Sequence, residues 1–492
     1  MTMMKKMTVA AVSALMLITG TALAQSSGTQ IDLSQSASIP ASGTGWTYGG
    51  GFYTIQNGAN VTVTGQSADE RRIAIAQDAN AHITLHDAKI AGLANDQAAI
   101  LLNSGSHLTL TLTGESDLTG GWECAAIQTT GAQLTITAYS TGILNATSGL
   151  YGAGIGGGNY GDGGTITING GTVNATSGLD GAGIGGGNIG AGGTITISGG
   201  TVNANGGIIL LFGGGAGIGG GRGGPGGTIT ISGGTVNATG GDTSAGIGSG
   251  GASGGTITIT ISGGTVNATG KEGGAGIGAG YWGHGGSVTI SGGTVYATAL
   301  GIVHGSGIGT GRDIYTGALG PLGSFTLNGD DALVYASPDI NANPQTLTRG
   351  ILFIGNSGTA YGKVFLDEPF TIPSGSTFTV PAGAVLIVPS LTNNSTLVED
   401  GKLIVLDSLS QPLPPTHPST QPYIKVTEYV INNGTVYIKA QGIPGADYIV
   451  TGTPTFAPYN PVGFQKANGA GVVEFTFPQP DHSTYFFKVR EK

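Results

Sequence analysis

Charge is the scarcest property of this 492-residue chain, in which only 9% of residues are Asp, Glu, Lys or Arg. The 17 basic residues are outnumbered by 27 acidic ones, and no basic run is longer than two residues, Arg71-Arg72 following Asp69-Glu70 and Lys5-Lys6 lying at the N-terminus. A nucleic-acid or anionic-membrane partner is therefore not expected. Cys124 is the single cysteine, which excludes an internal disulfide. Beyond the N-terminus no segment has the roughly 18–20 uninterrupted apolar residues of a membrane helix. Proline is nearly absent from the first two thirds, where only Pro40 and Pro225 precede residue 320. With so few ionisable groups, any acid–base chemistry has few places to reside.

What is abundant is glycine, with 97 residues. Much of it falls in a block of about thirty residues that recurs down the middle of the chain. The block reads Gly-Ala-Gly-Ile-Gly-Gly-Gly, a short variable loop, Gly-Gly-Thr-Ile-Thr-Ile-Ser-Gly-Gly, then Thr-Val-Asn-Ala-Thr. Glycine is not at every third position, so this is not collagen. Apolar residues are 39% and alternate in register with Thr, which a disordered chain lacks. The string from Gly152 to Gly157 satisfies a dinucleotide-binding pattern, but it recurs at Gly181 and Gly215 with no helical sequence after it. A phosphate cradle needs one copy opening a helix. No cofactor is expected. No metal site is expected either, because Asp162 is replaced by Ala191 in the next unit.

Three apolar series run far beyond the obvious repeats. The first is Ile75, Ile100, Ile127, Ile155, Ile184, Ile218, Ile247, Ile277 and Ile308. The second is Val61, Ile83, Leu108, Leu134, Ile166, Ile195, Ile229, Ile259, Val288 and Phe325. The third is Ile90, Leu118, Leu144, Val173, Val202, Val236, Val266, Val295 and Val334. Alternation turns Ile166 and Ile168 inward and Thr165 and Thr167 outward. Three short strands per unit joined by Gly turns predict an all-β fold, a right-handed parallel β-helix of about ten coils. A propeller blade would need about 40 residues and four strands.

The ends read differently. Lys5 and Lys6, an apolar run from about Met7 to Ile18, and Ala22-Leu23-Ala24 predict a secretory signal peptide over 1–24. The solenoid is expected over 25–340, and an irregular β continuation or cap over 341–408. Residues 409–422, rich in proline, predict a stiff linker. Residues 423–492, with alternating segments at 435–440, 448–452, 472–477 and 485–489, predict a small antiparallel β-sandwich.

On these motifs, residues 60–335 resemble the Gly-rich right-handed β-helix repeats of bacterial surface and secreted proteins, of pectin-lyase-like architecture. Gly442-Ile443-Pro444-Gly445-Ala446-Asp447-Tyr448-Ile449-Val450, with the ending Tyr485-Phe486-Phe487-Lys488-Val489-Arg490, resembles C-terminal modules of exported proteins from Gram-negative bacteria. The tryptophan expected midway in such modules is absent, with Tyr459 nearby. The resemblance implies export, by secretion or display at the outer cell surface of a Gram-negative bacterium, and no reaction.

Candidate functional residues follow from departures and from regularity. Tyr281-Trp282-Gly283-His284, Arg312-Asp313 and Asp330-Asp331 gather charge and aromatic rings on successive coils. Pectin-degrading glycoside hydrolases of the resembling fold carry an Asp-Asp pair and a Gly-His-Gly. Here Gly283-His284-Gly285 and Asp330-Asp331 occur in the reverse order. Asp313, Asp330, Asp331, His284 and Arg312 are thus the candidate catalytic set, since two carboxylates about 5–10 Å apart can hydrolyse a glycoside. Tyr281 and Trp282, with the outward pairs Thr165/Thr167, Thr194/Thr196 and Thr228/Thr230, are candidate ligand contacts. The Asn145–Asn267 series predicts stacked amides. Ile208, Ile209, Leu210, Leu211 and Phe212 interrupt the pattern as an apolar loop, either a self-association contact or a flap over the solenoid.

Two functions remain open at this level. One is an exported structural or binding protein that presents repeated surfaces to a polysaccharide, a cell-surface glycan or other copies of itself, with ice as a lesser possibility through the Thr ladders. The other is a secreted glycoside hydrolase acting on a polysaccharide, a lyase being less favoured because basic residues are few.

Overall fold

A computed structural model describes residues 29–35, 39–67, 70–208, 213–251, 255–366 and 368–405, and a set of strands between Lys425 and Glu491. The signal segment, Asp69, Ile209–Phe212 and the Pro-rich stretch lie outside the described residues. Chain contacts separate two units, Phe365–Ser374, Leu386–Ser395 and Lys402–Lys492 forming the second.

The first unit is all-β, and its strands stack in parallel in three columns. The first column holds eleven rungs, from Phe52–Ile55 to the strand Ile340–Ile354. The second holds twelve, from Thr29–Asp32 to the same last strand. In the third, Gly65 and Gln66 start a column that continues through Lys89 and also ends in Ile340–Ile354. This is the expected parallel β-helix, longer than the anticipated ten coils. Most first-column strands are only two residues, Ile-Gly.

Isoleucine, valine and leucine fill the interior because the strand period of two sends alternate side chains inward. Ile166, Ile168, Ile195, Ile197, Ile229 and Ile231 are fully buried, while the Thr residues between them are not. Single large-to-small changes at such positions typically cost about 2–5 kcal/mol.

The three apolar series need small corrections in register. Ile100 pairs with Ile73, not Ile75. Ile83 pairs with Leu110, while Leu108 pairs with Ala81. Leu118 pairs with Ala146, and Leu144 pairs with Ser116. Each slip is two residues, so the inward set stays inward and the alternation alone does not reveal it. For the same reason His107 stands level with Asn80, not with His82.

Glycine is obligatory at the first-column corners. Gly185 has φ of 131°, and a Cβ there would stand 2.0 Å from the Gly219 carbonyl oxygen of the next coil. Both the left-handed backbone and the close stacking exclude other residues.

The ends are closed by local devices. The hairpin Trp46–Gly49 with Phe52–Ile55 packs Trp46 edge-on to Tyr53, with ring centroids 5.3 Å apart. At the other end Ile340–Ile354 turns back into the antiparallel strand Ser357–Tyr361; Thr377–Val380 pairs with that strand in parallel, and Thr396–Glu399 pairs with Thr377–Val380. In the second unit the C-terminal segment forms two antiparallel three-stranded sheets. One joins Lys425–Asn432, Thr435–Gln441 and Val472–Pro478; the other joins Asn460–Lys466, Asp447–Thr453 and Phe486–Glu491.

Gly185→Ala is expected to lower stability by more than about 2 kcal/mol. Gly223→Ala, where the nearest atom to an added Cβ is 4.0 Å away, should cost only about 1 kcal/mol of left-handed strain. Urea midpoints of the two variants test this, and equal losses would contradict the stacking argument.

Candidate functional site

The second and third columns carry ladders of polar side chains on their outer faces. The upper threonine ladder runs Thr165, Thr194, Thr228, Thr258, then Ser287 and Ser324. The lower runs from Thr109 through Thr135, Thr167, Thr196, Thr230, Thr260, Thr289 and Thr326 to Thr346. All six threonines singled out from the sequence thus stand in two unbroken outward files. Thr194 and Thr228 are exposed and the other four half-buried. The files lie about 6.7 Å apart along each rung.

The third column carries an amide ladder. Asn174 donates to Asn145 at 2.7 Å, Asn203 to Asn174 at 2.7 Å, Asn237 to Asn203 at 2.8 Å and Asn267 to Asn237 at 2.8 Å. Every Nδ2 points toward the N-terminal coil, so the ladder is polarised. Its origin is acidic: Asn145 donates to Asp117 at 2.8 Å and Glu115 at 3.0 Å, and Lys89 pairs with Asp117 at 2.9 Å. Hydrogen bonds from Asn145 and Lys89 hold the Asp117 carboxyl below its ordinary range. At the far end the amides give way to rings. Tyr296 stacks on Tyr335, and Tyr335 on Phe353, each at 4.8 Å between centroids. Burial pushes the Tyr335 hydroxyl up to about 12.

The candidate catalytic residues fall into two places. Tyr281, Trp282 and His284 lie in the loop between the first- and second-column strands of one coil, and Arg312 and Asp313 lie in the equivalent loop of the next. There Tyr281 and Trp282 stack at 6.1 Å and 19°. Asp313 is only 3% exposed and is consumed by its own loop. Its Oδ2 accepts from the Thr316 hydroxyl at 2.6 Å, and its Oδ1 from the amides of Tyr315 and Thr316 at 2.7 and 3.2 Å. Those bonds, led by the Thr316 hydroxyl and joined by the Trp282 side chain, hold Asp313 below its usual range against the opposing effect of burial. Tyr281 is shifted upward by burial and by the Asp313 charge. Arg312 turns to the Gly317 carbonyl at 3.0 Å.

Asp330 and Asp331 lie elsewhere, at the corner where the second column passes into the third. The rung from Gly323 to Asn328 that separates them from the loop cluster spans about 16 Å. Asp330 pairs with Arg349 at 2.7 Å. His284 is exposed in the first place, with the rings. The structure therefore brings Tyr281, Trp282, Arg312 and Asp313 together and sets the Asp-Asp pair apart. Of the apolar loop, Ile208 is described: it is 44% exposed and bridges Gly214.

Sequence reasoning missed one charge pair, a buried carboxylate facing a partly exposed arginine. Asp180 and Arg222 come from loops of adjacent coils, with Nη1 3.6 Å from Oδ1. Burial raises the Asp180 carboxyl, opposed by Arg222. Asp180 falls in the third-to-first-column loop and Arg222 in a turn after the next first-column strand, so no fixed spacing betrays them. Cys124 is buried, and desolvation first, then Asp96, pushes its thiol up to about 11, which leaves it unreactive at neutral pH.

Asp313→Ala should release the 312–318 loop, and trypsin should then cut after Arg312 while leaving that bond intact in the parent protein. Unchanged resistance would remove Asp313 from its organising role. The Asp117 carboxyl is depressed in the folded state, so its stabilising effect is present above the ordinary carboxylate range and lost as pH falls below about 4. Asp117→Asn should flatten the fall in urea midpoint between pH 6 and pH 3; an unaltered fall would contradict the acidic origin of the ladder.

Among the described residues no helix is long and apolar enough to cross a membrane. No curated protein and no solved structure matches the chain. Five segments, residues 166–188, 195–222, 229–251, 259–281 and 288–312, match the family model described as a beta helix repeat. Each begins on the inward second-column residue and ends in the turn after the first-column strand of the following coil. With its parallel columns in register on either side of these segments, the chain is a parallel β-helix repeat protein.

Proposed function

We propose that the chain is an exported β-solenoid binding protein that presents its repeated outer face to a polysaccharide or cell-surface glycan. The observation that carries this reading is the pair of unbroken outward threonine files, in register from coil to coil beside the amide ladder. A rigid array of hydroxyls repeated at one pitch suits a ligand that is itself a repeat, because each added unit meets the same contacts at no further ordering cost. Export follows from the N-terminal signal pattern, and the site of action would be outside a Gram-negative cell. Self-association through the Ile208–Phe212 loop is compatible with the same role.

The glycoside hydrolase reading has less support. Its carboxylates would have to act within about 5–10 Å of each other. Asp313 is occupied by its own loop, and Asp330 faces Arg349 at the other end of a rung. A reading as an ice binder is favoured by one observation, the two-file hydroxyl and methyl spacing, which could order a water layer.

Incubation of the purified protein with a panel of plant, algal and bacterial polysaccharides tests the reading. The expected result is retention on at least one of them without release of reducing ends. Release of reducing ends would replace it with the enzymatic reading. Thermal hysteresis in the absence of any polysaccharide retention would replace it with ice binding.

A further inference from the structure

Four loops between the first and second columns contain the same tight turn. In each, an amide donates back three residues: Gly161 to Gly158 at 2.8 Å, Gly190 to Gly187 at 2.8 Å, Gly224 to Gly221 at 2.8 Å and Gly283 to Gly280 at 2.9 Å. The third residue of each turn has positive φ, as in a type II turn, where glycine or asparagine is the ordinary occupant. Gly223 obeys that rule, with φ of 70°. Tyr160, Ile189 and Trp282 break it, with φ of 61°, 61° and 59°.

Bulky and β-branched residues at such angles are strained. Burial does not compensate them, because the three side chains are 69%, 58% and 58% exposed. The turns stack: the Tyr160 amide donates to the Asn188 carbonyl at 2.9 Å, Ile189 to Arg222 at 2.8 Å, and Gly223 to Gly251 at 2.8 Å. Tyr160 and Ile189 therefore stand level on adjacent coils, and Trp282 holds the same position in its own turn three coils further on, with Gly223 on the first coil between. Four coil intervals separate Tyr160 from Trp282, about 19 Å at the strand spacing. Tyr315, 69% exposed, lies in the equivalent loop of the next coil, and Asp313 ties that loop to Trp282. The turn tips border the upper threonine ladder, which starts five residues after each tip, at Thr165 and Thr194.

We propose that Tyr160, Ile189 and Trp282 form a contact row for an uncharged polysaccharide laid along the solenoid axis. The inference rests on the polysaccharide-binding reading and locates its ligand. Aromatic and aliphatic side chains held outward suit the C–H faces of pyranose rings, and the adjoining threonines offer hydroxyls to the ring substituents. The charge of the surroundings selects an uncharged chain. Of the arginines beside the row, Arg222 is paired with Asp180 and Arg312 is turned to the Gly317 carbonyl next to Asp313, while Asp162 adds negative charge. A polyanionic glycan would meet no compensating array. The strain at three turn tips is the kind that persists where a side chain is held for contact rather than for folding.

The test uses glycine, which restores the ordinary turn residue. The triple variant Tyr160→Gly, Ile189→Gly, Trp282→Gly is expected to melt at the same temperature as the parent or higher. Retention of soluble β-1,4-glucan, β-1,4-xylan and β-1,4-mannan in affinity electrophoresis should fall at least tenfold for whichever glycan the parent binds. The converse variant Gly223→Tyr, whose added Cβ meets nothing closer than the Ile189 side chain at 4.0 Å, should bind that glycan severalfold more tightly. Parent and triple variant binding equally well would overturn the row and leave the polysaccharide reading in place. A parent that binds none of the polysaccharides, charged or uncharged, would overturn that reading and the row with it. A parent that sediments as an oligomer, with the triple variant monomeric and glycan retention unchanged, would make the row a contact between copies and overturn the proposal.

Discussion

Every coil must sit one strand spacing above the last with its side chains in register, and the rest of the molecule follows from that constraint. The stacked rings of Tyr296, Tyr335 and Phe353 measure the spacing directly, at 4.8 Å per coil. At that pitch a residue type repeated once per coil becomes a continuous column. Isoleucine columns make a core one coil cannot make alone. Asparagine columns become a hydrogen-bonded amide wire. At the corners the pitch leaves no space for a β-carbon, as at Gly185. Low charge is a consequence as well as a trait, since like charges repeated at 4.8 Å would repel along the whole column. The charges that do occur near the ladders are placed as termini: Asp117, Glu115 and Lys89 begin the amide column.

How much of this the sequence reveals depends on the repeat. Between Ile155 and Ile308 the copies are nearly identical, so the pairing Ile155–Ile184–Ile218 could be read off the recurring Gly-Ala-Gly-Ile-Gly string despite the loop inserted before Ile218. Toward the N-terminus the copies shorten, and three pairings move by two residues. A two-residue slip preserves the inward set, so hydrophobic pattern cannot detect it. The first rung, Thr29–Asp32, and the hairpin that begins at Trp46 were illegible because neither contains the repeat. In the C-terminal segment four strands were marked by alternation between Pro and Gly turns. Lys425–Asn432 and Asn460–Lys466 were missed, the latter because Pro461 and Gly463 disguise it as a turn.

The candidate site was legible as a set of types and not as a geometry. The sequence placed Asp313 and the Asp330–Asp331 pair in one candidate set drawn from successive coils. One rung of extended backbone keeps them at different corners, and each acidic group whose bonding is seen has a local partner. Conversely, the left-handed φ at Tyr160, Ile189 and Trp282 could not be read from residues that ordinarily avoid it. Regular positions build the solenoid; the turn tips between columns are where this chain departs from its own rule.

The central claim is the register, and pulsed electron-spin distance measurement tests it most directly. Spin labels at Thr109→Cys with Thr230→Cys, and at Thr109→Cys with Thr326→Cys, report on four and seven intervals of one outward column. Cys124, buried and protonated, does not compete for the label. The account predicts narrow distributions near about 19 and about 34 Å, in the ratio of the intervals. Broad distributions, or two distances that do not scale with the number of coils, would contradict it.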